Sequence, residues 1–139
     1  MSKRPFVIFG LLVAFLAVVI PLLVFHSSGD AKTGQQNVPA DLQKGQMLFQ
    51  TNCGTCHTLY AAGTDGNFGP NLDQLLAPTG PPTGSGAAKT IAATKLRVLN
   101  AVHNGVDSST TTGRMPAGII AGQQAEDVAN FVAHVAGEG

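Results

Sequence analysis

The sequence predicts a small all-α domain standing behind one separate apolar helix. Three observations predict it. The run from Pro5 to Phe25 is 21 residues without a charge, three later segments repeat apolar residues at helical spacing, and no segment shows the two-residue alternation of a strand. The chain has 139 residues, enough for one domain, and 44% hydrophobic against 12% charged residues excludes a disordered chain. A formal net charge of zero leaves no basic footprint for nucleic acid.

The apolar run comes first. At 1.5 Å per helical residue, 21 residues reach roughly 30 Å, the hydrocarbon thickness of a bilayer. Residues 5–25 are therefore expected to be a single transmembrane anchor. Lys3 and Arg4 precede it and no basic residue follows until Lys32, which places the N-terminus in the cytoplasm and the rest outside the cell membrane. Pro21 is tolerated near the end of a membrane span. The competing reading, a cleaved secretory signal, calls for an apolar region of about 7–15 residues and a small-x-small site. This run is longer, Ser27-Ser28-Gly29 is a weak site, and no cysteine follows to take a lipid. Either reading exports the remainder of the chain. Residues 26–40 are polar and small, the composition of a flexible linker with about 20 Å of typical reach.

The exported part, 41–139, opens with Leu42, Gly45, Leu48, Phe49 and Asn52 on one face of a short helix, with Asp41 as its N-cap. Residues 58–88 are rich in Gly, Pro and Thr and read as loop around a turn of helix at 72–76. Ile91, Lys95, Val98, Leu99 and Val102 make a second stripe from Thr90 to Asn104, with Gly105 as its stop. Val128, Phe131, Val132 and Val135 mark a last helix from about Gln123 to Ala136, with Glu126 and Asp127 suited to its positive first turn. The only aromatics of this part are Phe49, Tyr60, Phe68 and Phe131, so its core is thin.

Both cysteines of the chain lie in Cys53-Gly54-Thr55-Cys56-His57. Two thiols three apart near a helix end can add to the two vinyl groups of one haem, and the next residue presents an imidazole to the iron. A redox dithiol, half of a zinc site and a structural disulfide are the other readings. The first wants a βαβ setting and the second four ligands. Neither is visible, and export suits haem attachment.

With these residues in place, 41–139 resembles the class I cytochromes c. CGTCHTLYAAGTDGNFGPNLDQLL is similar to that family's CxxCH, loop and GPNL, and GRMPAG before a terminal helix is similar to its axial-methionine loop. The resemblance implies an all-α class I cytochrome c fold around one covalent haem c. Its first and last helices would cross beside the cofactor, with Gly45, Phe49 and Phe131 at the crossing. Cys53, Cys56, His57, Met115 and Pro70 would bind the cofactor, and His57 and Met115 the metal. Met115 is the natural sixth ligand, because Met1 is on the wrong side of the membrane and Met47 lies in the first helix. His103 is its rival; His134 and His26 are not ligand candidates. By the resemblance the Pro70 carbonyl accepts a hydrogen bond from the ligand histidine, which fixes the ring. Tyr60 and Asn71 are candidates for a propionate or the methionine sulfur. Arg114 is a candidate for a propionate or a partner's acidic surface. The loop at 77–88 is longer than in a minimal member.

Both axial positions filled by protein leave no open site for substrate. The expected role is that of an electron carrier, not an enzyme, between a quinol-oxidising complex and a terminal oxidase or other acceptor in a respiratory chain. Its partners would be membrane redox complexes and, through residues 5–25, the lipid bilayer. The alternative is a fixed haem-c subunit of a larger membrane redox enzyme: an oxidase, a quinol-oxidising complex or a nitric oxide reductase. A gas sensor or peroxidase would need Met115 to leave the iron. From Asp41 onward five Lys/Arg face seven Asp/Glu, which argues against a strongly basic docking face.

Overall fold

The computed structural model of this chain describes residues 4–27, 38–107 and 113–139, apart from the side chains of 4–7, 11 and 23–27. It divides into two units, Met1–Lys32 and Thr33–Gly139. Helix α1, Arg4–Ser27, carries the apolar run with Pro21 inside it. Among the described residues no helix is long and apolar enough to cross a membrane; the side chains at both ends of the run lie outside those described. The membrane anchor thus rests on the sequence argument alone. Most of the expected linker, residues 28–37, lies outside the described residues, but its last part does not behave as linker. Val38 is buried and packs with the core, so packing of the second unit starts before Asp41.

Four helices build that second unit. Helix α2 runs Gln43–Asn52, α3 Leu72–Leu76, α4 Ala87–Asn104 and α5 Gly122–Val135. The expected stripes are the packed faces: Leu42, Gly45 and Phe49 of the first segment and Val128, Phe131, Val132 and Val135 of α5 are buried, and Gly105 ends α4 at φ 70°. Three local expectations are corrected. Asp41 does not cap α2; Leu42 holds the cap position without a side-chain bond, because a turn closed by Leu42 N donating to Pro39 O (2.9 Å) precedes it. Helix α4 begins at Ala87, out of a short 3₁₀ turn at Gly84–Gly86. The segment read as loop contains a small antiparallel ladder, Thr58–Leu59 with Thr64–Asp65, too short to show alternation.

The α2–α5 crossing sets the architecture. A β-carbon on Gly45 would overlap the Asp127 carbonyl and come within 2.6 Å of Phe131 Cβ, so only hydrogen allows this approach. One turn on, Phe49 and Phe131 are both buried, their ring centroids 6.2 Å apart and tilted by 59°, a geometry aromatic pairs favour. Glu126 and Asp127 lie beyond the first turn of α5 and act sideways. Lys44 pairs with Asp127 at 2.7 Å and Lys95 with Glu126 at 2.9 Å, each tying a neighbouring helix to α5.

The loops are held by side chains that satisfy backbone groups. Gln46 and Gln50 of α2 donate to the carbonyls of Ala61 and Ala62 at 2.8 Å. Asp73, 3% exposed, accepts from Tyr60 N (2.9 Å) and Gly137 N (2.8 Å). The long loop after α3 also meets this tail: a β-carbon on Gly137 would stand 2.6 Å from the Gly80 carbonyl carbon and 2.8 Å from Ala77 Cβ.

Replacing Gly45 by Val should cost about 1–3 kcal/mol by overpacking, read as a lower melting temperature; a variant that melts with the parent removes the crossing argument. Glu138 gives a second test. Its Oε2 is buried without a hydrogen-bond partner among the described residues, and burial, then Asp73, hold its carboxyl above the ordinary 4.5. A raised carboxyl contributes stability below its unfolded value that is lost as pH rises through the folded one. Asp127 acts oppositely: hydrogen bonds from Lys44 and Gln123 lower it below 3.8, so its contribution is lost as pH falls below that range. The window just above 4.5 therefore belongs to Glu138. Denaturation across it should show the parent weakening with rising pH, and Glu138→Gln should lose that component and be the more stable protein at neutral pH.

Candidate functional site

The segment after α2 is a tight turn. Cys56 N and His57 N both donate to Cys53 O at 3.0 Å, which brings both sulfurs and the imidazole to one wall. Gly69 N donates to Cys56 O at 2.7 Å and lays the 68–70 strand of chain beside the ring. Gly69 has to be glycine, since a β-carbon there would lie 2.5 Å from His57 Cε1 and 2.8 Å from Nδ1. His57 Nδ1 then donates to Pro70 O at 2.9 Å; the carbonyl can only accept, so Nδ1 carries a proton and Nε2 is the nitrogen left for a metal.

Met115, farther along the chain, is held by its backbone. It exchanges two hydrogen bonds with Val106, both 3.0 Å, and Gly118 N donates to Val102 O at 2.8 Å. These bonds strap the 113–118 loop to the end of α4. Gly105 permits the close approach, for a β-carbon there would be 2.6 Å from Met115 O.

Both segments line a cavity of about 590 Å³, within the roughly 300–1,000 Å³ of sites that bury a small ligand. Cys53, Cys56, His57, Pro70 and Met115 all line it, with Phe49, Val128 and Val132 as its floor. All five candidate residues are thus brought together. Of the remaining candidates, the rival ligand His103 is exposed and absent from the lining, as is His134, which was not expected to be a ligand. Tyr60 is also exposed and turned away. Asn71 is occupied as the cap of α3, its Oδ1 accepting from Asp73 N and Gln74 N. Arg114 lines the rim but pairs with Asp107 at 2.8 Å.

The thiols carry further information. Cys53 is pushed up to about 11 by burial first and by Cys56 second, so it is a neutral thiol at neutral pH. That suits neither a reactive dithiol nor a zinc thiolate. Among the described residues no group of three or more His, Cys, Asp and Glu could hold a metal ion. The cavity does fit a flat apolar macrocycle. Its lining is mostly apolar and includes two free thiols, an imidazole and a thioether.

Three contributors escaped the sequence reading. Gly69 was visible only as part of GPN, Asp73 looked like any loop carboxylate, and Arg97, which lines the cavity from α4, stands beside the apolar stripe and not in it.

Among known proteins, the family model for Cytochrome c matches residues 42–136 of the chain. No curated protein and no solved structure matches it.

Proposed function

The chain belongs to the cytochrome c family, binds haem c covalently and works by haem-based electron transfer; from that premise we propose a membrane-anchored, single-haem carrier that takes electrons from a quinol-oxidising complex and delivers them to a terminal oxidase or another acceptor. One observation carries the assignment of residues: Cys53, Cys56, His57 and Met115 line a single cavity. Bound there, haem c supplies a one-electron iron couple.

The protein's part is to hold and tune. Cys53 and Cys56, the only cysteines, fix the macrocycle. His57 offers Nε2 to the metal while its Nδ1–H is committed to Pro70, which orients the ring and raises its basicity. Met115 offers a thioether from a loop pinned on both sides of its own peptide unit, and such a ligand raises the potential relative to a second imidazole. His57 and Met115 would both be donors to the bound metal, which would leave electron exchange and not substrate binding as its chemistry. The residues that enclose the site, Phe49, Val128 and Val132, exclude water from it.

The tether from residue 26 onward would keep the domain at high local concentration near membrane partners. Gly10, Ala14 and Ala17 fall at four- and three-residue spacing on α1, a small-residue face that also suits packing against partner helices and favours the fixed-subunit reading.

Isolation of the protein from membranes in mild detergent separates the two. A monodisperse, haem-containing single chain supports the carrier; co-purification with a redox complex supports the subunit; recovery in the soluble fraction overturns the anchor. Met115→Ala should keep the covalent haem, lose the iron–thioether charge-transfer band and lower the potential. An unchanged spectrum and potential would remove Met115 as ligand.

A further inference from the structure

The cavity wall is apolar, with few charges. Its titratable groups are Cys53, Cys56, His57, Arg97 and Arg114, and no carboxylate lines it. Haem brings two carboxylates of its own, and burying either is costly unless it meets a cation or hydrogen-bond donors. The two arginines are not equivalent. Both are exposed, but Arg114 is already paired with Asp107 at 2.8 Å. Arg97 has no ion-pair partner among the described residues, its one bond being Nη1 donating to Leu75 O at 3.5 Å, the long limit of such a contact. The lysines do not compete: Lys44 and Lys95 are paired with Asp127 and Glu126, and Lys89 does not line the cavity.

Asn100 stands one turn beyond Arg97 on the same face of α4 and also lines the cavity. Its Oδ1 accepts from Asn104 Nδ2 at 2.8 Å, so its own amide hydrogens are left to donate. A guanidinium and an amide three residues apart form a two-donor seat for a planar carboxylate.

We propose that Arg97, with Asn100, seats a haem propionate and holds it ionised, making Arg97 a positioning residue that tunes the iron couple. The proposal rests on the haem reading above. An ionised carboxylate beside the iron favours the ferric state, and the guanidinium offsets that charge. Losing Arg97 therefore lowers the potential where the propionate is ionised and moves the propionate's titration upward.

The test is the potential of the holoprotein as a function of pH, for the parent, Arg97→Gln, Arg97→Lys and, as a charge control on the same helix, Lys89→Gln. In the parent the potential should be flat above the ordinary carboxylate range of about pH 4–5. In Arg97→Gln the falling segment should move up by roughly one to three pH units, the shift expected on losing an adjacent opposite charge, with the thioether band unchanged. Arg97→Lys should restore part of the parent curve, and Lys89→Gln should follow the parent. An Arg97→Gln protein that keeps haem and thioether band and traces the parent curve overturns the proposal. If that variant does not retain haem, the parent decides: a propionate titrating in or above the ordinary range in the unaltered protein overturns it equally. A parent without covalent haem would instead overturn the reading beneath it.

Discussion

The second unit is a protein whose hydrophobic core is left open on one side. Phe49, Val128 and Val132 are core residues and cavity floor at once. Left unfilled, an apolar hollow of about 590 Å³ beside them would deprive its lining of packing partners. Water cannot offset this, because a wall of this composition gives it too few partners. The cofactor is therefore as much a part of the core as any side chain. Four aromatics suffice for 99 residues because the macrocycle supplies the missing apolar surface.

Around that opening, α5 packs on α2 and α4, and polar contacts to backbone hold the loops between them. Gln46 and Gln50 fasten the turn between the two strands of the ladder, Asp73 fastens that turn to the tail, and the Val106–Met115 exchange fastens the 113–118 loop to the end of α4. Each bond closes a loop that would otherwise bury unpaired amides or carbonyls. Long Gly- and Pro-rich connections can then shape a site with the rigidity of regular structure.

Much of this was legible in the sequence because its signals are periodic or chemical. The stripes through Phe49 and Phe131 fall on buried faces and the one through Val102 on a half-buried face, and a Cys-x-x-Cys-His run with one methionine in the right loop points to the site. What escaped was tertiary or too short. Asp41 looked like a cap because Asp often is one, but the preceding turn put Leu42 there. Asn71 looked like a cofactor contact and is a cap, since one amide side chain serves either purpose and only packing chooses. The 58–65 ladder has two residues a side, below the length at which alternation exists. Arg97 stayed hidden because a cation beside an apolar stripe reads as solvated until the cavity next to it is seen.

The crossing at Gly45 joins parts of the chain made far apart in time. Synthesis proceeds from the N-terminus, so Cys53 and Cys56 are made while Phe131 and the Gly137 amide that Asp73 needs are still to come. Until those residues arrive the last wall cannot close, since contacts of such long sequence separation form late. The order of residues thus leaves a period in which a bulky macrocycle can reach both thiols from an open side. Docking of α5 then shuts the site behind it.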